Sequence, residues 1–155
     1  MRHIISSNGV AINPKKPTAI QDWPLPHTIK EPHTIKEMRG FLGLAGYYKK
    51  FIKNFRIVCK PLTHLLKNNS FEWNALAKIT FDRLKKALCI APVLALPDSK
   101  KVFVLETDAC TNGLGVMLSQ EGRPLTFFSK ALSSKHLGLS IYKKKNMAIL
   151  MVVER

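Results

Sequence analysis

Acidic side chains are scarce in this chain. Ten Asp and Glu stand against 25 Lys and Arg over 155 residues, giving a formal charge of +15 and a pI near 10. Such an imbalance repels itself and attracts polyanions, nucleic acid first and a membrane surface second. No acid occurs between Glu37 and Glu72, where Arg39, Lys49, Lys50, Lys53, Arg56, Lys60 and Lys67 fall. Cysteine is sparse too. Cys59, Cys89 and Cys110 are odd in number and fit no CxxC zinc spacing, and the histidines form no ligand pair. A reducing intracellular compartment, cytoplasm or nucleus, is expected. No signal peptide is visible and no apolar run is long enough to span a bilayer, so no membrane partner is expected. What is present is a 46% apolar composition, which supports a core and argues against general disorder.

His3–Val10 reads as a strand, a polar turn and a second strand. Asn13-Pro-Lys-Lys-Pro17 reads as a basic loop with no room for a helix, and Ala19–Trp23 as a helical turn at most. Pro26-His-Thr-Ile-Lys-Glu31 is then repeated without change as Pro32-His-Thr-Ile-Lys-Glu37. Each copy carries a capping box, Thr28 to Glu31 and Thr34 to Glu37. A helix begun at Thr28 meets Pro32 at once. One begun at Thr34 runs on through Met38, Phe41, Leu42, Ala45, Tyr48, Phe51 and Ile52 at helical spacing, so the first copy is expected to loop out. Gly40, Gly43 and Gly46 lie inside that helix, each at a cost of about 1 kcal/mol against Ala. Either a packed helix or a nucleic-acid backbone must approach there. Further helices are predicted over Lys60–Leu66, after Asn74 with Leu76, Ile79, Leu84, Ala87 and Leu88 as the apolar face, and over about Ser140–Glu154 with Tyr142, Ala148, Ile149 and Val152. Ala91–Asp98 is an extended connector. Strands are predicted at Val102–Asp108, Gly115–Ser119 and Leu125–Ser129, the last two joined through Glu121-Gly-Arg123.

Asp108 closes the first of these strands beside a Gly-containing turn. A carboxylate so placed can hold a divalent metal against a phosphodiester. Glu106 shares its strand face by the period of two.

Phe41-Leu-Gly-Leu-Ala-Gly-Tyr-Tyr-Lys-Lys-Phe-Ile-Lys-Asn-Phe55 resembles the thumb helix of gypsy-type LTR retrotransposon reverse transcriptases. Lys60-Pro-Leu-Thr-His-Leu-Leu66, Phe71-Glu-Trp73, Ala91-Pro-Val-Leu-Ala-Leu-Pro-Asp98, Leu105-Glu-Thr-Asp-Ala109, Leu118-Ser-Gln-Glu-Gly122, Phe128-Ser-Lys-Ala-Leu132 and Val153-Glu-Arg155 follow in the family's order. The resemblance implies an α+β fold: a small helical thumb and connection, then a truncated ribonuclease H-like domain of a three-stranded antiparallel sheet plus one helix. The implied segments are 1–12, the end of a palm-like region; 13–70, thumb; 71–100, connection; and 101–155, the first half of the ribonuclease H-like domain. It also implies that Arg39, Gly43 and Tyr47, four residues apart on one face, track a template–primer duplex, with Lys49, Lys53 and Arg56 adding phosphate contacts.

In the same family Asp108 is the first of four carboxylates that bind Mg2+. The second is a Glu three residues beyond a Tyr; here Tyr142 is followed by three lysines, and Lys145 takes the Glu position. No Asp-Asp pair of the polymerase kind occurs in the chain. The expectation is therefore a nucleic-acid-binding fragment of a retrotransposon polyprotein, inactive by itself, with vestigial Asp108 holding metal weakly if at all and no cofactor when isolated. An uncovered strand edge at Val102–Leu105 is expected to favour self-association. Two rival readings are an active metal-dependent ribonuclease H on RNA–DNA hybrids and a non-enzymatic protein-interaction module.

Overall fold

The structure, a computed structural model, describes residues 3–13, 15–24, 32–67 and 73–153. It opens on a hairpin of β1 (His3–Ser6) and β2 (Gly9–Ile12). Helix α1 (Lys15–Gln21) follows. The expected basic loop is thus corrected to a helix. Pro17 falls in its first turn, where the missing N–H would have had no intrahelical partner. Helix α2 (Pro32–Tyr47) begins two residues before Thr34. Proline at the first helical position is preorganised for the helix, so Thr34 sits inside α2 and does not cap it. The first repeat copy lies outside the described residues.

A 3-10 turn (Lys49–Phe51), α3 (Phe55–Val58) and α4 (Lys60–Leu65) fold back under α2. Helix α5 (Ala75–Cys89) is capped as expected, with the Asn74 side chain accepting from the Ala77 N–H at 2.9 Å. Its buried face differs from the expected one. Ala77, Thr80, Phe81, Leu84 and Leu88 face inward, while Leu76 and Ile79 are exposed. The sequence offers two apolar stripes, and the large ring of Phe81 settles which one turns in. That ring packs at 4.4 Å on Phe41 of α2. Ile20, Met38, Phe41, Tyr48, Leu62, Phe81, Leu84 and Leu88 are all fully buried in the resulting core. Cys59 joins it; burial pushes its thiol pKa up, against the lowering pull of a backbone hydrogen bond and Arg56, so it is a packed side chain and a poor nucleophile.

The connector after α5 reaches back to the opening hairpin. Val10 and Leu94 exchange backbone hydrogen bonds of 2.7 and 2.9 Å. Gly9, at φ +128°, permits this: a Cβ there would overlap the Leu94 carbonyl.

The second half is an antiparallel meander in the order β3 (Val104–Cys110), β4 (Gly113–Gln120), β5 (Arg123–Ala131). Glu121 (φ 50°) and Gly122 (φ 72°) form the predicted two-residue turn between the last two strands. A short helix not foreseen, α6 (Ser134–Leu137), leads to α7 (Ile141–Val153). One sheet face, with Leu105, Ala109, Leu114 and Val116, meets Met147, Ala148, Met151 and Val152 of α7. Tyr142, expected on that face, is exposed. The position one helical turn before Ala148 is held instead by Lys144, which is buried and donates from Nζ to the Leu137 carbonyl at 2.8 Å. A lysine inside the stripe is what obscures its periodicity. The opposite sheet face meets α3, where the Arg56 N–H donates to Ser129 Oγ at 2.9 Å.

Candidate nucleic-acid interface and the Asp108 site

Helix α2 buries Met38, Phe41 and Ala45, and so turns Arg39, Gly43 and Tyr47 outward together. Among the described residues, no atom outside the surrounding helix lies within 4 Å of where a Cβ at Gly43 or Gly46 would be. Close packing within the chain therefore does not account for glycine at either position. Tyr47 is 41% exposed; its ring stacks on His3 at 5.0 Å and its hydroxyl lies 3.2 Å from His3 Nδ1. The contact ties the opening hairpin to the outward end of α2, and Tyr48, not Tyr47, is the core tyrosine.

Lys49, Lys53 and Arg56 are all exposed, as is Lys50, which the motif reading passed over. Below them runs a groove of about 610 Å³, lined by Gly46, Lys49, Arg56, Lys60, His64 and Lys67 among others and by no carboxylate. Lys60 and Lys67 come from the same acid-free stretch. The signal for them was the charge run itself.

Asp108 and Glu106 point away from α7, on the sheet face toward α3. Asp108 pairs in register with Gly115. Above that pair sits Asn54, at φ 57°, a left-handed conformation that asparagine tolerates better than most residues. Its Nδ2 donates to Asp108 Oδ2 at 3.1 Å. Its Oδ1 is buried without a hydrogen-bond partner. The reversed amide would set Oδ1 against the carboxylate, so the donor orientation is the favourable one. A Cβ at position 115 would overlap Asn54 Oδ1, so glycine is required there. Sequence reading missed Asn54 because its partner lies 54 residues away.

Lys53, Glu106, Asp108 and Gly115 help to line a cavity of about 250 Å³. Among the described residues no group of three or more His, Cys, Asp or Glu could hold a metal ion. Two carboxylates, one engaged by Asn54 and both beside a lysine, do not fit the paired divalent ions of phosphodiester hydrolysis. Lys145 is exposed on α7 and makes no ion pair with Asp108 among the described residues.

Comparison with known proteins agrees with this architecture. The chain is 41% identical over 150 residues to the retrovirus-related Pol polyprotein from transposon 297 of Drosophila melanogaster, covering 96% of this chain and 14% of the relative. It is 36% identical over 160 residues to that from transposon gypsy of the same organism, covering 95% and 15%. The chain thus spans about one seventh of the length of these relatives. The structure of the foamy viral protease-reverse transcriptase in complex with an RNA/DNA hybrid superposes with a TM-score of 0.83 at 20% identity, over 99% of this chain and 21% of that one. The α+β arrangement with its three-stranded antiparallel sheet is shared with that fold. Residues 73–155 match the family described as the RNase H-like domain found in reverse transcriptase. The chain belongs to that family, and its residues correspond to the reverse transcriptase and ribonuclease H region of an LTR retrotransposon Pol polyprotein.

Proposed function

We propose that these residues bind nucleic-acid duplexes without sequence preference and do not cleave them by themselves. The observation that carries this reading is the outward face of α2. Gly43 offers bare backbone with open space above it, Arg39 and Tyr47 flank it, and the cations beyond it have no acid among them. A phosphate backbone can approach such a surface closely, and positive charge holds it there. The foamy viral relative of the fold is itself in complex with an RNA/DNA hybrid, which is consistent with the reading. The absence of cleavage rests on the Asp108 site, whose two carboxylates do not make a two-metal ligand set.

One titration tests both parts. An RNA–DNA hybrid is bound at rising salt with Mg2+ present, and strand cleavage is scored in the same samples. Log affinity should fall by about 0.9 per phosphate contact for every tenfold rise in salt, Gly43→Leu should weaken duplex binding more than single-strand binding, and the hybrid should stay intact. Affinity indifferent to salt would refute the electrostatic part. Cleavage lost on Asp108→Asn would refute the inactive part.

A second reading concerns β3, which among the described residues has β4 alone as a neighbour in the sheet. Val102 is 81% exposed, and Phe103 and Val104 are about half exposed. An apolar open edge recruits extended chain, so a second copy should pair there at high concentration. Sedimentation should show dimers at high micromolar protein that Val104→Lys abolishes; a monomer throughout would dismiss this reading.

A further inference from the structure

Strand β5 ends the sheet on its other side. Its consecutive residues point to opposite faces, so Phe127 packs toward the helical core and Phe128 toward the α7 cluster. At the strand edge Thr126, Phe127, Phe128 and Ser129 line a separate cavity of about 390 Å³, completed by Val152 and rimmed by Lys49, Lys50 and Arg56. No carboxylate of the described residues lines it. The volume lies in the range of small-ligand sites, whose walls are mostly apolar with a few polar groups that fix orientation. Three cations without a counter-charge select an anion. Two half-buried aromatic rings select a flat apolar body joined to it. One nucleotide combines the two, and aromatic side chains accept any base because every base has a π-face.

We propose that this pocket takes an unpaired nucleotide of a strand leaving the duplex, with phosphate on Lys49, Lys50 and Arg56 and the base against Phe127 and Phe128. The proposal rests on the nucleic-acid reading above and adds a second subsite to it. Lys49 and Arg56 serve both surfaces. So does Lys50, whereas Phe127 and Phe128 belong to the pocket and not to the duplex face.

The test uses the full chain and fluorescence anisotropy with three probes: a blunt RNA–DNA hybrid, the same hybrid with an oligothymidine overhang, and oligothymidine by itself. Circular dichroism checks each variant for folding. The overhang should tighten binding about tenfold, the scale of one stacked base. Lys50→Glu should erase that gain, in addition to weakening the blunt and overhanging hybrids alike through the lost positive charge. Phe127→Leu, which keeps the apolar volume and removes the ring, should also reduce the gain. Arg39→Ala should weaken both hybrids equally. Adenosine monophosphate should displace oligothymidine better than inorganic phosphate does. Equal affinity for blunt and overhanging hybrids, or a gain that survives both pocket variants, overturns the proposal. So does phosphate competing as well as the nucleotide, or an acidic aromatic peptide competing better. Loss of blunt-hybrid binding with oligothymidine binding intact would sink the duplex face and leave the pocket standing; the converse would do the opposite.

Discussion

The helical half and the sheet half of the molecule are built to different degrees of closure. Among the described residues, 15 buried apolar side chains form the helical core, whereas four form the core between the sheet and α7. The helical half interlocks aromatic rings from α2, α5 and the segment before α5, with Phe81 against Phe41 and Trp73. Both halves leave apolar side chains uncovered, Ile5, Ile79 and Ile90 in the first and Val102, Ile141, Leu150 and Val153 in the second each being at least 60% exposed, so the difference lies in the cores. Burial contributes about 25 cal/mol per Å² of apolar surface removed from water. The stability of the chain is therefore concentrated in the helices, and the sheet leans on them through α3.

The most direct way to break this comparison is to cut each half in turn. Phe81→Ala removes a fully buried ring and leaves a cavity, so it should cost about 3–5 kcal/mol. Val104→Ala on the half-exposed edge should cost under about 0.5 kcal/mol. Urea unfolding of both variants gives the two numbers. Equal losses would mean that the sheet carries as much of the stability as the helices.

A sharper question is how the sheet is joined to the helices. At the seam, Gly115 lies under Asn54 and Gly113 under Ile57, and a Cβ on either strand position would collide. The Ile57 contact is with a side chain, but a Cβ at Gly113 would also press on the Lys130 backbone carbonyl at 2.8 Å. The Asn54 contact involves a side chain held by its left-handed backbone and by Asp108. Gly115→Ala should therefore cost about 1–3 kcal/mol by overpacking, and more than Gly43→Ala, which meets only open space and gains helix propensity. Thermal melting that ranks Gly43→Ala as the more harmful would show that the seam is looser than its geometry.

These comparisons also mark how far the sequence could be read. Strand alternation, the Glu121-Gly122 turn, the Asn74 cap and the acid-free run are local signals, and each produced its element. The face of α2 that carries Arg39, Gly43 and Tyr47 was named through the resemblance to the thumb helix, and their four-residue spacing puts them on one side. What could not be read depended on partners distant in the chain. The buried stripe of α5 was decided by Phe41, and the Asn54–Asp108 contact by the docking of the two halves. Pro17 misled for a different reason: proline excludes a helix interior, but not a first turn.

Asp108 gives a smaller expected effect than Phe81 or Gly115 and the closest view of the seam. Its carboxylate accepts one hydrogen bond from Asn54 and is otherwise open to solvent. Asp108→Ala should then cost only about 0.5–1.5 kcal/mol, since water can replace much of what Asn54 loses. The effect should depend on Asn54. With Asn54→Gly, which keeps the left-handed backbone without strain, Asp108→Ala should add almost nothing further. Asn54→Ala should be worse than Asn54→Gly by about 1 kcal/mol, because alanine disfavours φ near 57°. A double-mutant cycle on urea unfolding isolates the pair. If Asp108 instead held a metal in this chain, Mg2+ would stabilise the folded state by mass action, and Asp108→Ala would abolish that gain. The clasp predicts a nonzero coupling with Asn54 and a melting temperature indifferent to Mg2+. A Mg2+-dependent rise in melting temperature that disappears with Asp108→Ala would assign the carboxylate to the metal and not to the seam.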